Sequence, residues 1–201
     1  MAQTSTTLSA EVSHKSDITG TDISFSASGS TYTISSTSTV LTGTGKLAAR
    51  DLVTVTGTTN NNSTFTVKEV VSTTEFTVEE VVTTENADGS TTVTLDHTGF
   101  ITDKEKGDGY YSQPDGVHTI AYHVGATLND DANISLKMQG SLATTPTEDD
   151  WFDISGTSID QTNIDGSTLA FSANFTGNFV WVRAKATAIT AGSITQILLN
   201  S

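Results

Sequence analysis

The sequence contains no cysteine, and no long apolar run interrupts its polar composition. The absence of cysteine excludes a disulfide framework and thiol chemistry. The chain therefore does not belong to the small secreted folds that disulfides stabilise. No stretch has the length and hydropathy of a transmembrane span. Residues 1–17 have neither a basic segment nor an apolar core, so we expect no signal peptide.

Basic residues are also scarce. The 201-residue chain has 9 Lys and Arg against 23 Asp and Glu, which gives a formal net charge of −14. Such a surplus repels the phosphates of nucleic acids and the surface of anionic membranes. We therefore expect neither a nucleic-acid partner nor a membrane partner.

What the chain does contain is threonine interleaved with valine, isoleucine and phenylalanine. This alternation is typical of strands, and no sustained 3.6-residue period predicts helices. We predict an all-β fold with two small β-sandwich or barrel-like modules in tandem. The predicted divisions are an N-terminal arm (1–20), a first β module (21–100), a linker (101–116) and a C-terminal β-sandwich module (117–201). The Ser/Thr-rich arm is expected to dock on a partner or on a neighbouring copy.

Residues 179–201 carry the clearest strand pattern. Trp181, Arg183 and Lys185 alternate with apolar residues, and the return segment is rich in isoleucine and leucine. Gly192, in the intervening turn, is expected to have a positive φ. The pattern predicts a β-hairpin that closes the C-terminal module.

Two further patterns lie in the first module. Residues 64–71 (TFTVKEVV) and 75–82 (EFTVEEVV) have the same apolar spacing, which predicts two neighbouring strands. The pair Asp88-Gly89 predicts a hairpin turn.

The candidate metal ligands are scattered. His118 and His123 lie five residues apart on one predicted strand, so they point to opposite faces and cannot share an ion. Acidic clusters could supply calcium ligands, although solvated loop charge is the alternative interpretation and none has EF-hand spacing. These clusters are Asp103, Glu105, Asp108 and Asp115; Asp130 and Asp131; and Glu148, Asp149, Asp150 and Asp153. We predict no metal site and no cofactor.

No catalytic constellation is recognisable either. The sequence has no G-x-S-x-G elbow between a strand and a helix, no phosphate loop and no dinucleotide fingerprint. We predict that the protein is not an enzyme. The residues selected instead as a candidate interface are aromatic, with burial in a core as the alternative for the tryptophans. They are Trp151, Phe152, Trp181, Tyr110 and Tyr111.

Several segments resemble virion proteins. ISLKMQGSL (134–142), DDWFDIS (149–155), FVWVRAKA (179–186) and TAGSITQILL (190–199) are similar to β-sandwich domains of tailed bacteriophages, especially marine and cyanobacterial ones. DLVTVTG (51–57), an Asn-rich turn and TFTV (64–67) are similar to another small β unit of phage structural proteins. The resemblance covers most of residues 21–201 and carries no functional site residues.

The resemblance implies a phage virion structural protein, made in the host cytoplasm and located on the capsid surface. The favoured function is a capsid decoration or cement protein that binds the major capsid protein as a homo-oligomer, with a trimer favoured. The alternatives are a neck, tail tube or tail fibre component, and a glycan-binding β-sandwich that uses tryptophan or tyrosine, with or without calcium.

Overall fold

The computed structural model describes residues 5–126 and 131–200, which are almost entirely β and confirm the predicted fold class. Within these residues, no helix is long and apolar enough to cross a membrane. Two short 3-10 helices cover Asp108–Tyr111 and Glu148–Asp150. The strands, in chain order, are β1 (Ser5–Ser9), β2 (Val12–Ser13), β3 (Ile18–Gly20), β4 (Ile23–Ser28), β5 (Thr31–Ser36), β6 (Asp51–Thr56), β7 (Thr64–Ser72), β8 (Glu75–Val78), β9 (Val93–Ile101), β10 (Glu105–Lys106), β11 (Val117–Gly125), β12 (Ala132–Ser141), β13 (Phe152–Asp153), β14 (Ile159–Ile164), β15 (Thr168–Thr176), β16 (Trp181–Ile189) and β17 (Ser193–Asn200).

The chain divides into two compact units. The first unit is Lys15–Phe100, and the second unit combines Met1–His14 with Ile101–Ser201. The second unit is therefore discontinuous in sequence.

The strands of the first unit pair antiparallel in the order β3-β9-β6-β7-β8-β5-β4. The predicted pairing of the two similar segments is confirmed, because β7 lies beside β8. Their shared apolar positions, Phe65 with Val67 and Phe76 with Val78, are all buried in the core of this unit. Each strand thus contributes alternate side chains to one interior.

The Asp88-Gly89 pair forms a turn, but the predicted hairpin is wrong. The Asp88 carboxylate accepts hydrogen bonds from the backbone N–H groups of Ser90 and Thr91, and Gly89 has φ +72°. The strands on either side do not pair with each other: β8 pairs with β5 and β7, whereas β9 pairs with β3 and β6. The turn chemistry fixes the local bend but not the partners of the strands.

The second unit is a sandwich of two antiparallel sheets. One has the order β1-β17-β11-β15, with β2 also paired to β17, and the other contains β12 and β16 with the short strands β10, β13 and β14. Alternate residues of β11, β12, β16 and β17 are buried between the sheets. The Tyr122 hydroxyl, from β11, donates to the Thr157 carbonyl (2.9 Å), and the Thr157 hydroxyl accepts from the Met138 N–H in β12 (3.1 Å).

The predicted C-terminal hairpin is also wrong in its pairing. The strand alternation is correct, since Val182, Ala184 and Ala186 are buried, and Gly192 has φ +71°. However, β16 pairs with β12 and β10, whereas β17 pairs with β11, β1 and β2. The turn therefore carries the chain from one sheet of the sandwich to the other.

The segments predicted as an arm and as a linker form strands that pair within this chain. Within residues 5–20, β1 and β2 pair with the chain's own C-terminal strand, and β3 pairs with β9. Residues 101–116 contain β10 and a 3-10 helix, and the Gly107 and Gly109 N–H groups donate to the carbonyls of Val180 and Phe179. These residues are part of the second unit rather than a connection between modules.

Candidate functional site

Five residues of the second unit form an exposed cluster that we call the aromatic–lysine patch. It consists of Lys104, Lys106, Tyr110, Tyr111 and Trp181. β10 pairs with the start of β16, which places Lys106 opposite Trp181. The following 3-10 helix then carries the two tyrosines.

Two glycines allow this approach. A Cβ at Gly109 would lie 2.6 Å from the Asn178 carbonyl oxygen, and one at Gly107 would overlap the Phe179 carbonyl oxygen. Both positions therefore need glycine because the backbones run against each other. The charged residues and glycines of 101–116 predict a linker, but in the structure this segment is bound to β16.

The rings meet edge to face. The centroids of Tyr110 and Trp181 lie 4.9 Å apart and those of Tyr110 and Tyr111 lie 5.2 Å apart. The Trp181 indole N–H donates to the Thr144 carbonyl oxygen at 3.1 Å, which fixes the ring. Tyr110 and Tyr111 remain 43% and 56% exposed, so the patch presents aromatic surface to solvent.

The two lysines lie over these rings. Lys104 Nζ is 4.5 Å from the centroid of Trp181, and Lys106 Nζ is 4.2 Å from that of Tyr110 and 5.7 Å from that of Tyr111. These distances are within the roughly 6 Å range of cation–π attraction. Within the described residues, neither lysine forms an ion pair. In an acidic chain, the patch thus holds two positive charges with no carboxylate of the described residues at ion-pair distance.

Trp151 lies in a separate and electrically balanced stack. The Arg183 guanidinium is 4.1 Å from the ring centroid of Trp151 and forms two hydrogen bonds of 2.7 Å with the Glu148 carboxylate. Arg183 Nε also donates to Gln139 Oε1 at 3.0 Å. The Arg183 side chain is 6% exposed and its charge is paired with Glu148. This stack therefore stabilises the structure around β16, and its guanidinium is not available to a ligand.

Phe152 is the fifth residue predicted for the interface. It is 43% exposed and packs against Phe179, with ring centroids 5.8 Å apart. Of the five predicted residues, the structure therefore brings Tyr110, Tyr111 and Trp181 together, and it places Trp151 and Phe152 in other contacts. Lys104 and Lys106 were not selected from the sequence. The available signal is two of the nine basic residues close together, a few positions before a Tyr-Tyr pair.

His118 and His97 make structural contacts. His118 and His123 lie on opposite faces of β11, as expected. His118 Nε2 is 3.1 Å from Asp108 Oδ2, which also accepts from the Gly116 N–H at 2.7 Å, and the His118 ring stacks on Phe175. The His118 side chain is 5% exposed, so this His–Asp pair fastens the 108–116 loop to β11 and does not face solvent. In the first unit, buried His97 lies beside the Lys15–Asp51 ion pair.

Several carboxylates that were considered as calcium ligands already accept hydrogen bonds from the chain. Asp150 accepts from the Thr147 backbone N–H, which is the main cause of the lowered pKa of this carboxyl. The Lys137 ammonium similarly lowers the pKa of Asp153 through a 2.7 Å contact. Asp115 accepts from the Gly177 N–H at 2.6 Å. Asp130 lies outside the described residues.

Comparison with protein-family models, curated proteins and solved structures finds no match. The aromatic–lysine patch is therefore interpreted from its own chemistry.

Proposed function

We propose that this protein is a non-catalytic structural protein of a virus particle that docks on a larger assembly through the aromatic–lysine patch. The finer proposal is a decoration protein on the capsid of a tailed phage, bound to the major capsid protein. The observation that carries the docking proposal is the pair of lysines without close carboxylate partners, one held over half-buried Trp181 and the other over exposed Tyr110. The phage capsid is proposed from the resemblance of the sequence segments alone.

The composition of the patch favours a protein surface as its ligand. Tyrosine and tryptophan are enriched in protein interfaces, where they supply large contact areas with little loss of conformational entropy. The lysine charges would attract an acidic region of the partner and repel basic ones, which sets orientation more than affinity. Burial of Tyr110 and Tyr111 would supply the apolar contribution.

The same geometry disfavours a glycan as the ligand. Sugar rings stack on the open faces of aromatic side chains, but Lys104 lies over Trp181, Lys106 over Tyr110 and Arg183 over Trp151. A sugar that stacked on one of these occupied faces would have to displace the cation first. We therefore prefer the docking proposal to the glycan-binding alternative.

The proposal is tested with the double variant Lys104→Glu/Lys106→Glu. The recombinant protein and the variant are titrated against purified capsids that were assembled without it, and the bound fraction is measured by co-sedimentation. We expect the variant to bind at least roughly tenfold more weakly, because two attractive contacts become repulsive.

The matched control is Lys46→Glu/Lys68→Glu, which changes the net charge equally within the first unit. This control should bind like the unmodified protein. Equal binding by both double variants would contradict docking through the patch, and no binding by the unmodified protein would contradict the capsid as partner.

A further inference from the structure

β15 is the longest strand of the second unit that has a neighbour on one side only. It pairs with β11 over all nine residues, from Thr168 to Thr176, without a bulge. In the described part of the chain no strand lies along its other edge. That edge therefore presents a row of backbone N–H and C=O groups able to pair with another strand.

The other edge strands of the second unit carry features that prevent such pairing. β1 has five residues with an irregular register between Thr7 and Ser9. β14 contains Asp160 and also has a register shift against β12. β10 and β13 have two residues each and contain charged side chains. β15, with the sequence TLAFSANFT, has no charge, no proline and no bulge.

The absence of charge extends to the whole sheet. None of β1, β2, β11, β15 and β17 contains Asp, Glu, Lys or Arg. Because each chain carries a net charge of −14, two copies repel each other across most of their surfaces. The edge of β15 is where two copies can approach without bringing carboxylates together.

The side chains of β15 also favour an added strand. Leu169, Phe171 and Ala173 point toward the sandwich interior but are only partly buried. A strand placed beside β15 would cover this apolar surface, and it would do so on the same face as the buried core. The outward residues, including Ala170 and Ser172, are small and exposed, so they leave the edge accessible.

We propose that a second copy of this chain occupies the β15 edge, by antiparallel pairing of β15 with β15 of the other copy. Antiparallel pairing of identical strands generates a two-fold axis, so the product is a dimer with one continuous sheet. This differs from the trimer favoured by the sequence analysis and does not depend on the proposed docking function. Full overlap of the two strands places Ser172 opposite its own counterpart and Ala170 opposite Asn174.

The first test measures mass by sedimentation equilibrium over a range of concentrations. The unmodified chain is expected to dimerise, and Ser172→Lys is expected to be monomeric because like charges lie directly opposite each other. An equimolar mixture of Ser172→Lys and Ser172→Asp should restore the dimer, which also shows that both variants fold. Ser26→Lys, at an exposed position of β4 in the first unit, is the control and should remain dimeric.

The second test uses the absence of cysteine from the chain. Under mild oxidation, Ser172→Cys should form a disulfide-linked dimer much faster than Ser26→Cys. Ala170→Cys and Asn174→Cys should cross-link efficiently only when the two variants are mixed. A monomeric unmodified chain, a trimer, a dimeric Ser172→Lys variant, or equal cross-linking of Ser172→Cys and Ser26→Cys would each overturn the proposal.

Discussion

Tyr122 shows how a single residue joins the two sheets of the second unit. Its ring is fully buried, and its hydroxyl donates to the Thr157 carbonyl oxygen. The Thr157 hydroxyl in turn donates to the Ile154 carbonyl oxygen at 2.7 Å and accepts from Met138. Burial raises the pKa of the Tyr122 hydroxyl above its ordinary value of 10.0. The polar end of this side chain is therefore satisfied within the core rather than by water.

Tyr122→Phe should lower the free energy of unfolding by about 1–2 kcal/mol, since it removes the hydrogen bond and leaves a buried carbonyl without this donor. Because the pKa is raised in the folded state, Tyr122 contributes stability that is present below pH 10.0 and is lost as the pH rises above it. In the Phe variant, the free energy of unfolding should decrease less as the pH rises above 10.0. Tryptophan fluorescence during urea unfolding measures both effects, because Trp151 and Trp181 lie in the second unit.

Tyr32→Phe, in the first unit, is the matched control and should leave the fluorescence transition unchanged. An unchanged transition for Tyr122→Phe would contradict the assigned role of its hydroxyl.

At the level of strands and loops, local pattern predicted the elements better than their partners. The alternation from Trp181 onward identifies a strand, and the shared spacing of Phe65 and Phe76 identifies two neighbours. The residues of the turn before Ser193 are compatible both with a hairpin and with a crossing from one sheet to the other. Which strand lies beside β16 depends on residues far away in the chain, since β12 and β10 both pair with it.

The segment 101–116 differs from the predicted linker for a related reason. Glycine and charge are typical of flexible connections, but Gly107 and Gly109 are required here because their backbones lie against Phe179 and Asn178. The candidate site was predicted only in part for the same reason. The pairing of β10 with β16 brings Lys106 to the tyrosines and Trp181, and nothing local in the sequence indicates that pairing.

Limited trypsin digestion tests this description of the 101–116 segment. The bonds after Lys104 and Lys106 should resist cleavage in the folded protein, because β10 is paired and the Gly107 N–H donates to the Val180 carbonyl oxygen. Gly107→Ala would force the segment away from Phe179 and should make both bonds cleavable. Mass spectrometry of the fragments identifies the cut sites. Early cleavage after Lys106 in the unmodified protein would indicate a flexible linker after all.

At the scale of the whole molecule, the all-β class and the existence of two units follow from composition and strand periodicity. The discontinuous boundary does not, because the pairing of β1 and β2 with β17 joins residues that are far apart in the chain. Within the N-terminal segment that is expected to dock on a partner, β1 and β2 pair with β17 of the same chain. The partner surface that we propose is the aromatic–lysine patch, which combines exposed aromatic rings with positive charge on an acidic protein.

The central claim, a structural component bound to a capsid, is tested most directly by copy number. Quantitative mass spectrometry of purified particles gives the ratio of this protein to the major capsid protein. We predict a ratio that scales with the icosahedral lattice of the shell. A count that matches one small ring or a few fibres would place the protein in the neck or tail, and its absence from particles would contradict the proposed function.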